Sequence, residues 1–173
     1  MGFFDFFKSK EEKEDKIVAR TPLNLQIGDI VEYDLIEYKV IGKIYYEEGG
    51  YKWYDYHISD GKNNLWLSAE EDDELEVGLF KKLDSGDELY SKLQEKIPNK
   101  ITFNNQAYSL IEEGNANIMV EGQVGAKTGQ RIRYWDYEAS NGEQVSVEKW
   151  VNELEISIGQ EVKKSLLEYY PGK

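Results

Sequence analysis

From Asp29 onward, apolar and polar side chains alternate with a period of two. Val31 and Tyr33, then Tyr38 and Val40, read as two strands around the turn Asp34-Leu35-Ile36-Glu37. The reason is that alternate residues of a strand share one face. Turn signals recur at Glu48-Gly49-Gly50, Asp60-Gly61 and Asn141-Gly142. Asp-Gly and Asn-Gly suit two-residue hairpin turns, whose central residues both need φ > 0. Between 85 and 97 the period changes. Leu89, Leu93 and Ile97 recur every four residues, which predicts a helix. Ser85 followed by Glu88 fits a capping box, and Pro98 stops the helix. Val162 and Leu166 ahead of Pro171-Gly172 predict a second short helix near 160–170.

The same pattern occurs twice. Lys52-Trp53-Tyr54-Asp55-Tyr56-His57-Ile58-Ser59-Asp60-Gly61 answers to the segment from Arg133 to Gly142 at a spacing of 81 residues, and Asp73–Gly78 answers to Asn152–Gly159. Upstream, Val31, Tyr33, Tyr38 and Val40 answer to Ile101, Phe103, Tyr108 and Leu110 at a spacing of 70, so the second copy carries about eleven extra residues. They fall in the Gly-rich stretch Asn117–Gln130, where a hairpin loop tolerates them. Two meanders of this kind pack on each other because neither buries its apolar face alone. The expected fold is mainly β: a two-sheet sandwich or partly open barrel of two duplicated β-meanders, with two short helices. The expected organisation is an amphipathic segment and charged tether (1–20), a first β repeat (21–84), a linking helix (85–98), a second β repeat (99–159) and a C-terminal helix (160–173).

Composition sharpens this. Thirteen Tyr, six Phe and four Trp predict an aromatic-heavy core in strands. A formal net charge of −13 argues against nucleic acid, whose phosphates need clustered Lys and Arg, and leaves room for a basic partner. Without Cys there are no disulfides, thiolate nucleophiles or Cys-based metal sites. The opening Met1–Lys16 lacks the basic start, long apolar run and cleavage site of a secretory signal, and no apolar run is long enough to span a membrane. A cytoplasmic protein is expected.

Six aromatic and acidic positions form paired boxes: Trp53, Asp55 and Tyr56, then Trp135, Asp136 and Tyr137. Trp53 shares a strand face with Asp55, whereas Trp135 lies on the face opposite Asp136. Two carboxylates in related positions can form an acid/base pair, though carboxylates near strand ends more commonly fix backbone N–H groups. His57 is the one histidine, has no counterpart in the second copy, and completes no recognisable triad or metal set. The run Glu70–Glu74 lacks the spacing of a calcium loop and suits a charged hairpin tip that blocks edge pairing. Lys127, Arg131 and Arg133, on or beside a Gly-rich loop, form a locally basic patch able to hold an anion, although no phosphate-loop motif is present. Phe3, Phe4, Phe6 and Phe7 present a wide apolar arc if helical, and predict an anchor to a membrane interface or partner on a charged leash.

The segment Gly28–Glu70 resembles a bacterial family catalogued as domain-of-unknown-function family 4178. The likeness rests on the Gly28-Asp29 entry, the Tyr38–Gly42 strand, Trp53–Tyr56, and Trp66-Leu67-Ser68. Asp55 stands where that family usually has Glu. The resemblance implies an accessory role: such genes often sit beside phage-shock-protein-A-like membrane-stress genes, which points to a phage-shock-protein-A-like partner. The leading expectation is therefore a non-enzymatic interaction module of a membrane-stress or membrane-remodelling assembly. It would be cytoplasmic, touching the inner face of the membrane through its N-terminus, with no cofactor and no metal. The alternative is a small-ligand or saccharide-binding β protein using Trp and Tyr. Third comes a hydrolase using Asp55 and Asp136. Whether those two aspartates converge in one cleft separates these readings.

Overall fold

The computed structural model describes residues 18–173. The amino-terminal phenylalanines and most of the charged tether lie outside the described residues.

Among the described residues eleven antiparallel strands form one continuous sheet. The first meander comprises β1 (Ile30–Tyr33), β2 (Ile36–Glu48), β3 (Tyr51–Ser59), β4 (Asn64–Glu71) and β5 (Leu75–Lys82). After helix α1 (Glu88–Glu95) the second repeats the plan with β6 (Lys100–Phe103), β7 (Gln106–Gly122), β8 (Arg131–Ala139), β9 (Glu143–Lys149) and β10 (Leu154–Glu161), and a short β11 (Leu167–Tyr170) follows. Edges β5 and β10 pair, with Ser157 opposite Lys82, and β2 pairs with β7, with Gly42 opposite Gly122. Those two seams close the eight strands β2–β5 and β7–β10 into a barrel, with β1, β11 and β6 as extensions. The fold is thus not a sandwich, and the barrel is closed rather than partly open. The meanders join by backbone hydrogen bonds at their edges instead of stacking face to face, which removes most exposed edges.

The extra residues of the second meander are more than a loop. Met119–Gly122 extend β7 along β2 and supply most of the closing seam. The following loop folds back, where the Gln123 N–H donates to the Ile41 carbonyl at 2.8 Å. This approach needs glycine at position 42, since a Cβ there would sit 2.5 Å from the Gln123 oxygen.

Among the described residues only one α-helix forms. Leu89 and Leu93 bury as the four-residue stripe predicts, but Asp87 rather than Ser85 is the N-cap and makes no side-chain cap bond. The expected C-terminal helix is replaced by a 3-10 turn (Lys164–Leu166) and β11. Leu166 is exposed while Val162 and Leu167 are buried, and the chain pairs with the otherwise open edge of β1. Asp29 ties this end down. Buried and ion-paired to Arg20 at 2.7 Å, it accepts backbone N–H bonds from Gln26 and Gly172.

Three apolar clusters result. Val31, Tyr56, Ile58, Leu67 and Val77 form one on the outer face of the first meander, covered by Leu25, Val162 and Leu167. Tyr108, Trp135, Tyr137, Val145 and Val147 form its counterpart, covered by Leu89, Tyr90 and Leu93 of α1. The third uses the inward face. Ile44, Trp66, Ile132 and Trp150, with Val124 from the folded-back loop, fill one end of the barrel.

Candidate functional site

The other end of the barrel is hollow. A cavity of about 500 Å³ is lined by residues near the β2–β3 and β4–β5 turns of the first meander and, in the second, by residues of β7, β8, β9 and the end of β10. Alternation sends Tyr56 and Tyr137 outward into the apolar cores, and therefore turns Asp55 and Asp136 inward. Both aspartates line this cavity. Each faces a serine across the ladder, Asp55 opposite Ser68 and Asp136 opposite Ser146. Neither caps a strand end. That task falls to Asp60, whose carboxylate accepts the Lys62 and Asn63 N–H groups.

Nine carboxylates line the cavity, and no lysine or arginine is among the described lining residues. Glu70, Glu76 and Glu112 are exposed at the mouth, while Asp55, Asp136 and Glu148 lie deeper. The deep three keep some accessible surface because they line a hollow, yet protein surrounds them. Burial pushes the Asp136 carboxyl up to about 7; the Ser146 hydroxyl draws it down, and the charges of Glu112, Asp55 and Glu70 add to the rise. Burial also raises Asp55, partly offset by the Ser68 and Tyr46 hydroxyls and by the Lys82 ammonium. Glu148 is raised by burial and by the charge of Asp55. The Oδ1 of Asp55 is buried and has no hydrogen-bond partner among the described residues. A buried, unpartnered carboxylate oxygen is costly, about 1–3 kcal/mol or more, and calls for a donor.

One wall is aromatic. Trp53 stacks on Tyr46 with ring centres 4.9 Å apart and meets Tyr134 edge-on at 5.5 Å. The Tyr46 hydroxyl donates to Glu148 at 2.9 Å and the Tyr134 hydroxyl to Glu48 at 2.6 Å, so both rings are fixed by carboxylates. Gly114 leaves room for this pairing, since a Cβ there would collide with the Tyr134 hydroxyl and the Glu48 carboxylate.

The remaining candidates lie elsewhere. Trp135 is in the second outer core with Arg133 over its ring at 4.8 Å, and Arg133 pairs with Glu113 at 3.2 Å. Lys127 and Arg131 are exposed, and the Lys127 N–H is held by Gln130 within its own loop. His57 stacks on Trp66 at 4.9 Å; its ring nitrogens face the Gln123 carbonyl and the Asn64 side chain, not a carboxylate. Phe3, Phe4, Phe6 and Phe7 lie outside the described residues. Among the described residues no group of three acidic or imidazole side chains is placed to hold a metal ion. Glu148, Glu112, Ser146 and Tyr134 do not stand out in the sequence. Their signal is the polar side of Val145-Ser146-Val147-Glu148, which only barrel closure turns inward.

The family model described as "Domain of unknown function (DUF4178)" matches residues 26–164. The chain belongs to the DUF4178 family. An uncharacterized protein of Mycobacterium bovis is 31% identical over 163 residues, covering 87% of this chain and 73% of the relative, and uncharacterized proteins of two Mycobacterium tuberculosis strains match equally well. No solved structure matches the chain. In this DUF4178 chain the Trp53–Tyr56 and Trp66–Ser68 segments that carried the resemblance supply Trp53, Asp55 and Ser68 to the cavity wall.

Proposed function

We propose that this protein is a non-enzymatic ligand-binding barrel whose hollow end takes up a small molecule. The observation that carries this reading is the cavity, which brings Asp55, Asp136 and Trp53 from separate repeats into one space of about 500 Å³. That volume lies in the usual range for small-ligand sites, roughly 300–1,000 Å³. A membrane-stress accessory role rests on the amino-terminal phenylalanines and the resemblance, and the interior favours the small-ligand alternative over it. A hydrolase using Asp55 and Asp136 is supported less, because no nucleophile–base hydrogen bond accompanies the two acids.

The test is a ligand-observed NMR screen of the full chain against mixed neutral, anionic and cationic fragments, repeated with Ser146→Leu, which fills the cavity. Fragments that bind the parent protein and lose binding in Ser146→Leu are expected. If every binding fragment ignores Ser146→Leu, or none binds, the barrel interior is not a ligand site.

A further inference from the structure

Resting on the ligand-binding reading, we infer that the cavity is built for a small organic ammonium ion, its charged nitrogen among Asp55, Asp136 and Glu148 and its carbon body against Trp53, Tyr134 and Phe80. All six side chains line the one cavity.

Three independent features converge on a cation. The first is charge without compensation. Asp55 on β3, Glu70 on β4, Glu112 on β7 and Glu148 on β9 surround Asp136, and Glu48 on β2 and Glu161 on β10 add to the same field. The neighbouring cation, Lys82 on β5, is held by Glu155 on β10 at 2.6 Å and lies over the Trp66 ring, toward the filled end. Like charges sharing a low-dielectric space repel strongly, and a positive ligand relieves that repulsion.

The second feature is the unpartnered Oδ1 of Asp55. The Tyr46 hydroxyl donates to Glu148 and the Tyr134 hydroxyl to Glu48. Although the Ser68 and Tyr46 hydroxyls lie beside the Asp55 carboxyl, its Oδ1 has no partner among the described residues. A cation in the cavity beside this carboxyl stabilises its charged form. The third feature is the wall. Trp53, Tyr134 and Phe80 offer aromatic surface beside the acids, and aromatic faces attract organic cations. A bare metal ion would leave that surface and most of the volume unused, whereas an amine with a carbon body uses both.

Proton linkage follows from the same geometry. In the empty site the deep carboxyls hold protons near neutrality, and a bound cation favours their ionised forms, so binding releases protons. Affinity then rises with pH between about 6 and 8, by up to about tenfold per unit for each proton released.

The experiment compares three ligands with the same ring and different charge: 2-phenylethylamine, 2-phenylethanol and phenylacetate. Each is titrated by calorimetry into the full chain at pH 6, 7 and 8, in two buffers of different ionisation enthalpy, with calcium chloride as a fourth titrant. The amine is expected to bind at least tenfold more tightly than the alcohol, to release protons at pH 7, and to weaken at least tenfold in both Asp136→Asn and Asp55→Asn. Circular dichroism and melting check that each variant folds, and either variant alone suffices if the other does not. If the alcohol or phenylacetate binds as well as the amine and is blocked by Ser146→Leu, the cation assignment fails while the cavity remains the site. The cation assignment fails in the same way if the fragment screen finds only neutral or anionic cavity ligands, or if calcium binds and the amine does not. Failure of every fragment and titrant to bind overturns both readings.

Discussion

The two meanders follow one plan and end in different surroundings. Each bulges at an equivalent place, after Val40 in β2 and after Leu110 in β7, and each turns its first hairpin on two residues of positive φ, Asp34-Leu35 and Asn104-Asn105. Each carries an inward Asp opposite a Ser and a glycine at the β5–β10 seam, Gly78 or Gly159. The differences lie around this shared frame. The first meander is covered by its flanking segments and β11, the second by α1, and only the second carries the extension that closes and plugs the barrel. The consequence falls on the site. Symmetry of the strands delivers two carboxylates to one cavity, and asymmetry of the surroundings gives them different neighbours.

The largest expected contrast tests the seam. A Cβ on Gly159 would overlap the Leu79 carbonyl oxygen, which is backbone and cannot step aside. A Cβ on Gly78 would meet the far edge of the Phe80 ring at 2.6 Å, which can rotate. Gly159→Ala is therefore expected to cost about 3 kcal/mol or more and Gly78→Ala about 1 kcal/mol. Urea unfolding of both variants measures this. Equal losses would show that the seam is as tightly packed on one side as on the other.

Much of this frame was legible in the chain. Period-two alternation placed the hairpins, and the spacing of 81 aligned Asp55 with Asp136. Asp60-Gly61 and Asn141-Gly142 marked turns that are longer than two residues, over 60–63 and 140–142, with positive φ at the glycine alone. Closure was not legible, because a sandwich and a barrel share the same alternation and differ only in which edges meet. That gap hid the site. Ser146 and Glu148 alternate with the buried Val145 and Val147, and only the closing of the sheet, with β2 paired to β7, makes their face an interior. The C-terminal helix failed for a related reason, since the free edge of β1 selects a strand where Val162 and Leu166 alone fit a helix.

A middle-sized effect separates the two aspartates. With Asp136 raised to about 7 from an ordinary value of 3.8, the folded protein keeps this proton where the unfolded chain has lost it. Stability from this group is full below about pH 4 and falls as pH rises towards about 7, so the native state is weaker at pH 8 than at pH 5. Asp136→Asn should flatten that slope and raise stability at pH 8 by about 1–3 kcal/mol, with little change at pH 4. Asp55→Asn should gain less, because Ser68, Tyr46 and Lys82 already favour its charge. Melting temperatures across pH 4–8 decide it. A parent protein whose stability climbs from pH 5 to pH 8 would contradict the buried-acid description of the cavity.

The smallest effect concerns the first hairpin turns. Leu35 has φ 63° and is 91% exposed, whereas the equivalent Asn105 has φ 61°. The left-handed region costs an ordinary L-residue about 1–2 kcal/mol because Cβ crowds the following carbonyl, and asparagine tolerates it better through local hydrogen bonding. The leucine side chain buries almost nothing there, so replacing it sacrifices no core. Leu35→Asn should therefore stabilise the protein by about 0.5–1 kcal/mol, making the first turn resemble the second. The reciprocal Asn105→Leu should destabilise by a similar amount. Both are read as shifts of the urea midpoint at constant slope. If Leu35→Asn leaves the midpoint unmoved while Asn105→Leu lowers it, the two turns are not energetically equivalent, and the likeness between the meanders ends at their backbone geometry.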